Sequence, residues 1–259
     1  MYPHIHIFNI SIPSYGICLV LALVVTTLGS ILRAKKEGIR SEDILIVASL
    51  TLGSAICGAK SLYIIVSFSM KEVVEYILSG DFSFIFGNGL VFLGGLLGGL
   101  LGATIGARLA GTRLFVMEKA IVPLLPLGYA IGRVGCLLAG CCYGIEYDGF
   151  GAIHYKQSIL GLPVNISYFP IQLVEAGISV CLMIWLLSMS KKKFPKYGLL
   201  IEYLMLYSII RFILEYFRGD DYRGIYISLS TSQWICMGFF IICILLKVYW
   251  KKRNSIRGV

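Results

Sequence analysis

Seven apolar runs, each near the length a helix needs to cross a bilayer, dominate this 259-residue chain. They cover about residues 14–32, 43–68, 84–107, 120–142, 170–189, 198–217 and 230–248, and a spanning helix takes about 20 predominantly apolar residues. Mean hydropathy is +0.83, and 58% of residues are hydrophobic against 14% charged, far from the composition of a soluble domain. The predicted fold class is all-α: a polytopic membrane protein, read as one seven-helix transmembrane domain over residues 1–259. The first run follows no basic leader, so it reads as a retained span rather than a cleaved signal.

The formal net charge of +9 would suggest nucleic acid in a soluble protein, but here the placement of charge points to a membrane surface. Arg33, Lys35, Lys36 and Arg40 follow the first run, and Arg108, Arg113 and Lys119 follow the third. Lys191, Lys192, Lys193 and Lys196 follow the fifth; Lys247, Lys251, Lys252, Arg253 and Arg257 close the seventh. The opposite loops hold only Lys71, Lys156, Arg218 and Arg223. Basic loops stay inside, which places the amino end outside and the carboxyl end in the cytoplasm. The basic tail then meets anionic headgroups, and no nucleic-acid partner is expected.

Lys60, Arg133 and Arg211 lie within spans, where charge is expensive and retained for structure or function. Arg133 lies about 12 residues into the fourth span, roughly 18 Å at 1.5 Å per residue. Counted the same way, Lys60, Arg211 and Glu215 reach the outer half of the bilayer, where Tyr15 and Glu175 also lie. Glu202, near the inner end of the sixth span, reads as structural. Arg211, Glu215 and Arg218 follow i, i+4, i+7 spacing and are expected on one helix face. Two readings stand: buried ion pairs that fix helix packing, or an anion cavity open to the outer leaflet. Basic groups Lys60, Arg133, Arg211 and Arg218 outnumber Glu175 and Glu215, which favours the cavity. Arginine stays charged in a poor solvent and pairs bidentately with phosphate, so a phospholipid headgroup is the expected anion.

The third run, GNGLVFLGGLLGGLLGATIGARLA, repeats glycine every four residues, a pattern that lets helices approach closely. Packing explains most of it, and a second reading puts the bare backbone of Gly94 and Gly95 on the cavity. No strand or Lys-Ser/Thr ending makes it a nucleotide loop. Most of the eight cysteines sit in apolar runs as small hydrophobes, and no disulfide framework is expected. Cys136, Cys141 and Cys142 follow Arg133 in GYAIGRVGCLLAGCCYG. Cys136 and Cys141 would diverge by about 140° on an ideal helix, and His4, His6 and His154 lack paired metal spacing, so no metal is expected. A thiol near arginines can nevertheless act as a nucleophile, or simply line a tight helix end.

The segments GRVGCLLAGCCYG, FPIQLVE, YSIIRFILEYFRGDD and LSTSQW, with IPSYGICL and VFLGGLLGGLLG in order before them, resemble the prolipoprotein diacylglyceryl transferases from about Tyr15 to Leu246. The resemblance implies seven spans in a bacterial plasma membrane, with the active site facing the outer leaflet. It implies transfer of a diacylglyceryl group from phosphatidylglycerol to the lipobox cysteine of a prolipoprotein, forming a thioether and releasing glycerol 1-phosphate without a cofactor. On this basis Arg133, Arg211, Glu215 and Tyr15 are the candidate catalytic groups, the arginines holding the lipid phosphate. Lys60, Gly94, Gly95, Gly144, Gln172, Glu175 and Arg218 are candidate substrate contacts, and Cys136, Cys141 and Cys142 candidate thiol participants.

The chain departs from the family signature Gly-Arg-x-Gly-Asn-Phe-x-Asn-Gly-Glu. Cys136 and Ala139 replace the asparagines and Cys141 the glutamate; Leu93 and Phe169 stand where the family has histidine. The family reaction needs an acceptor thiolate, a stabilised phosphate leaving group and exclusion of water. Without the histidine, the arginines lower the thiol pKa with Glu215 or Tyr15 relaying the proton, or Cys141 or Cys142 accepts the lipid first. The alternatives are a transferase with another acceptor, and a non-catalytic binding or transport protein for anionic lipid. The repeats and matched broken helices of transporters are absent from the sequence.

Overall fold

The computed structural model describes residues 2–7, 10–81, 89, 91–163, 165–192, 198–220 and 224–256. Its helices are α1 (Ser14–Lys36), α2 (Ser41–Ser67), α3 (Met70–Ser79), α4 (Phe92–Leu109), α5 (Leu114–Ile121), α6 (Leu125–Ala139), α7 (Ile171–Lys192), α8 (Leu199–Leu214) and α9 (Thr231–Ile256). The expected spans meet described helix, the third of them from Phe92 onward, and the chain is an all-α polytopic membrane protein. Five stretches are long and apolar enough to cross a membrane: Ser14–Lys36, Ser41–Ser67, Leu114–Ala139, Ile171–Ser190 and Thr231–Lys252. Leu93–Leu109 is a shorter apolar helix, and α8 has 16 residues, about 24 Å of rise. Side chains such as Val20, Leu32, Ile65 and Leu245 lie exposed along these helices, as lipid-facing positions should. The first part of the expected third span, together with Lys193, Lys196, Arg223 and Arg257, lies outside the described residues.

The chain divides into two compact units, Met1–Ser30 with Glu118–Val259, and Ile31–Met117. In the second, α2 packs along α4, and the glycine row is why. A Cβ at Gly94 would run into the Gly58 carbonyl, one at Gly98 into the Ser54 carbonyl, and one at Gly102 would come 2.7 Å from Ser54 Oγ. In the same unit Ser69 and Glu72 form a reciprocal capping box at the start of α3, which satisfies amide donors that the first turn leaves bare.

In the first unit, Val122, Leu182, Leu186 and Leu199 form the core, flanked by Tyr203, Leu206 and Ile210. A 3-10 turn at Val122–Leu124, carrying Pro123, joins α5 to α6. Glu118 Oε2 accepts the Leu200 amide at 3.3 Å, so a carboxylate faces the positive end of α8. Glu202 pairs with Lys247 at 2.8 Å, the structural role expected for it. Short hairpins pair β1 (His4–Ile7) with β2 (Ile10–Pro13), β3 (Ile153–His154) with β4 (Ser167–Tyr168), and β5 (Ile225–Tyr226) with β6 (Leu229–Ser230).

Two helix ends differ from expectation. The fourth span stops at Ala139 rather than continuing through Cys142, because Gly140 turns left-handed (φ 71°) and caps the helix. The sixth tightens into a 3-10 turn at Glu215–Phe217, and Arg218 leaves in an extended conformation. Arg218 therefore does not continue the helical face of Arg211 and Glu215.

Candidate active site

Arg133, Glu175, Arg211 and Glu215 form one continuous network within the first unit. Glu175 is presented by α7 with its side chain 2% exposed. Its Oε1 accepts a hydrogen bond from Arg211 Nη1 at 2.7 Å. Its Oε2 lies 2.7 Å from Arg133 Nε, an ion pair whose N–H is not aimed at the oxygen. Arg211 Nη2 reaches Glu215 Oε2 at 2.8 Å, one turn along its own segment. Ser230 Oγ donates to Glu215 Oε1 at 2.8 Å, while Gln233 Oε1 accepts the Ser230 amide at 2.8 Å. On the other side, Arg133 Nη2 donates to Tyr129 Oη at 2.7 Å, with its guanidinium 4.8 Å from the Tyr129 ring centroid. Tyr129 meets Tyr207 edge to face. A small cavity lies against this network, lined by Tyr129, Glu175, Ser179, Tyr207 and Arg211 among others.

One carboxylate thus holds two arginines side by side in apolar surroundings. A guanidinium carries five donors, and these contacts engage two nitrogens of each arginine, so donors remain for a phosphate. Among the described residues of the first unit, the network carries no excess of positive charge. Glu175 and Glu215 balance Arg133 and Arg211, and Asp220 takes Arg218 in a bidentate pair at 3.0 and 2.7 Å. Burial works to lower the Arg218 pKa, but the Asp220 hydrogen bond and the charges of Cys142 and Asp220 outweigh it and hold the value above the ordinary range.

A folded segment follows α6 between Tyr143 and Tyr168. Gly144 pairs with Arg218, and Glu146 with Tyr168, in isolated bridges. Tyr155 is fully buried, and burial pushes its phenol up to about 12 against the opposing hydrogen bond from Gln172. Gln172 Nε2 donates to Tyr155 Oη at 2.8 Å and to the Cys141 carbonyl at 2.9 Å. Gln172 Oε1 is buried without a hydrogen-bond partner among the described residues. A Cβ at Gly144 would strike the Phe169 carbonyl, so that glycine serves close backbone packing.

The expected divergence of Cys136 and Cys141 fails, because it assumed a helix that Gly140 ends. After this cap, Cys142 takes a positive φ of 53°, and the three sulfurs lie within 4.8 Å of one another. Tyr15 at the start of α1 lies within electrostatic reach of these cysteines and of Arg133. Arg133, Arg211, Glu175, Glu215, Tyr15, Gln172, Gly144, Arg218 and the cysteines all belong to the first unit. Lys60, Gly94 and Gly95 belong to the second. There Lys60 Nζ lies 4.7 Å from the Tyr63 ring centroid, and Gly94 serves the α2 contact while a Cβ at Gly95 would make ordinary contacts with Ala59 and the Ala55 carbonyl. Sequence reading missed Tyr129, Asp220, Ser230 and Gln233. Tyr129 stands four residues before Arg133, and that spacing is the signal that finds it.

The prolipoprotein diacylglyceryl transferase family model matches residues 3–249. Among similar proteins, phosphatidylglycerol–prolipoprotein diacylglyceryl transferase 2 of Clostridium perfringens is 33% identical over 93% of this chain and 91% of its own. The phosphatidylglycerol–prolipoprotein diacylglyceryl transferase of Clostridium tetani is 30% identical over 91% and 92%. The protein of that name from Clostridioides difficile is 28% identical over 96% and 95%. With a paired-arginine site inside apolar helices and a match along nearly its whole length, the chain belongs to the prolipoprotein diacylglyceryl transferase family.

Proposed function

We propose that this chain moves a diacylglyceryl group from phosphatidylglycerol to the lipobox cysteine of a prolipoprotein, forming a thioether and releasing glycerol 1-phosphate. The observation that carries the reading is Glu175 holding Arg133 and Arg211 together, each at 2.7 Å, among buried side chains. A phosphodiester presents a similar pair of anionic oxygens and would meet the donors that Glu175 and Glu215 leave open on the two guanidiniums, which is the arrangement that stabilises a departing phosphate. Arg133 and Arg211 take the phosphate, Glu175 and Glu215 keep them in place, and Tyr15 lies on the acceptor side. Residues 1–259 act as one transferase in a bacterial plasma membrane, with the amino end outside and the site open to the outer leaflet.

A second reading keeps the lipid donor and changes the acceptor; Cys136 and Cys141, where the family carries asparagine and glutamate, favour it. Expression in a membrane without its own diacylglyceryl transferase separates the two. Lipidation of a reporter prolipoprotein, lost with Arg211→Ala, supports the first. An unmodified reporter beside a correctly inserted protein retires it.

A further inference from the structure

The trio Cys136, Cys141 and Cys142 takes no part in the arginine network, yet an unusual backbone brings it together. Gly140 and Cys142 both adopt positive φ, 71° and 53°. For a side-chain-bearing residue that conformation is uncommon and points to a local requirement. The turn is pinned from outside: Ser158 Oγ donates to the Gly140 carbonyl at 2.5 Å, and Gln172 Nε2 to the Cys141 carbonyl at 2.9 Å. Its result is three sulfurs within 4.8 Å of one another. Thiolates around a zinc ion at about 2.3 Å stand roughly 4 Å apart, so the trio needs an adjustment of only about 1 Å to close on a metal.

Charge and exposure agree with a metal. A dication with three thiolates carries one net negative charge, and Arg133 and Arg218, though each is paired with a carboxylate, both lie within electrostatic reach of Cys142. Cys136 is buried, whereas Cys141 and Cys142 are half-buried, leaving one side approachable. Soft thiolates select zinc over the hard cations, and three protein ligands with an open fourth position are the mark of a catalytic rather than structural site.

We propose that Cys136, Cys141 and Cys142 hold a zinc ion whose fourth position receives the acceptor thiol of the transfer reaction. The metal site stands on geometry alone; the acceptor's place in it rests on the transferase reading. The acceptor thiol gives its proton to water as its sulfur binds the ion, since a coordinated thiol is deprotonated outright. The sulfur electron pair then forms the S–C bond to the glyceryl carbon. The C–O bond to phosphate breaks, and its electrons leave with glycerol 1-phosphate against Arg133 and Arg211. No oxidant or reductant is needed. The site supplies the activated thiolate that a histidine at the positions of Leu93 or Phe169 would otherwise help to make. The cysteines are then ligands, not the first acceptors of lipid.

Cobalt reconstitution of the purified full-length protein tests this without reference to turnover. Wild type stripped by a chelator and reloaded with cobalt should show a sulfur-to-cobalt charge-transfer band. Cys141→Ser and Cys142→Ser should lose it, and Cys57→Ser, in the other unit, should keep it. A lipobox peptide should change the cobalt ligand-field spectrum, and its Cys→Ser analogue should not. Failure of stripped wild type to bind cobalt, or an undiminished band in both serine variants, overturns the metal site. A band indifferent to the peptide overturns the acceptor's place on the ion. Full-rate lipid transfer by metal-free protein also overturns the proposal and leaves the transferase reading intact. A spectrum that answers to the peptide supports the site even where lipid transfer fails.

Discussion

Glu175 is the residue on which the site depends, since its two oxygens serve two arginines on two other helices. Breaking a buried pair leaves uncompensated charge, at a cost of about 3–5 kcal/mol. Glu175→Gln should therefore lower thermal stability in detergent markedly. Glu202→Gln, which loses a pair to the partly exposed Lys247, should cost about 0–1 kcal/mol. Equal melting of the two variants would contradict the shared-carboxylate arrangement. The charged members of this network were legible because a charge inside an apolar run stands out and can be placed by counting residues. Ser230 and Gln233 were not, since such residues raise no alarm at the start of a helix, and Tyr129 could be found only through its spacing of four from Arg133. The balance of charge was misread for a related reason. Asp220 neutralises Arg218 only because the chain leaves the helix at Phe217.

At the scale of elements, the helix ends carried the information that periodicity does not. A hydrophobic run continues smoothly through Gly140, but the backbone does not, and the cysteines converge because the helix stops. The capping pattern Ser69 to Glu72 marks the start of α3, within a segment read only as a connecting loop. The glycine row, in contrast, was legible as packing. Gly98 faces the Ser54 carbonyl and Gly58 on α2, and overpacking such a contact costs typically about 1–3 kcal/mol. Gly98→Leu should reduce yield and melting temperature, whereas Gly53→Leu, with open space around its Cβ position, should leave both near wild type. A Gly98→Leu protein as stable as its parent would show that α2 and α4 do not pack this closely.

At the scale of the molecule, the positions of lysine and arginine in the sequence predict an orientation that the helices alone do not. With the amino end outside, a membrane-impermeant thiol reagent should label Lys71→Cys and Lys156→Cys in intact cells beyond the background of the parent chain. Lys119→Cys should gain label only after the membrane is opened. The reverse pattern would invert the topology and place the arginine site toward the inner leaflet. The central claim is chemical, and purified protein with labelled phosphatidylglycerol and a lipobox peptide tests it most directly. Label should move to the peptide cysteine, and Arg211→Ala should slow that transfer about 10²–10³-fold, the usual cost of losing one donor to a developing anion. No transfer by folded wild type, under conditions where a control family enzyme modifies the same peptide, would contradict the account.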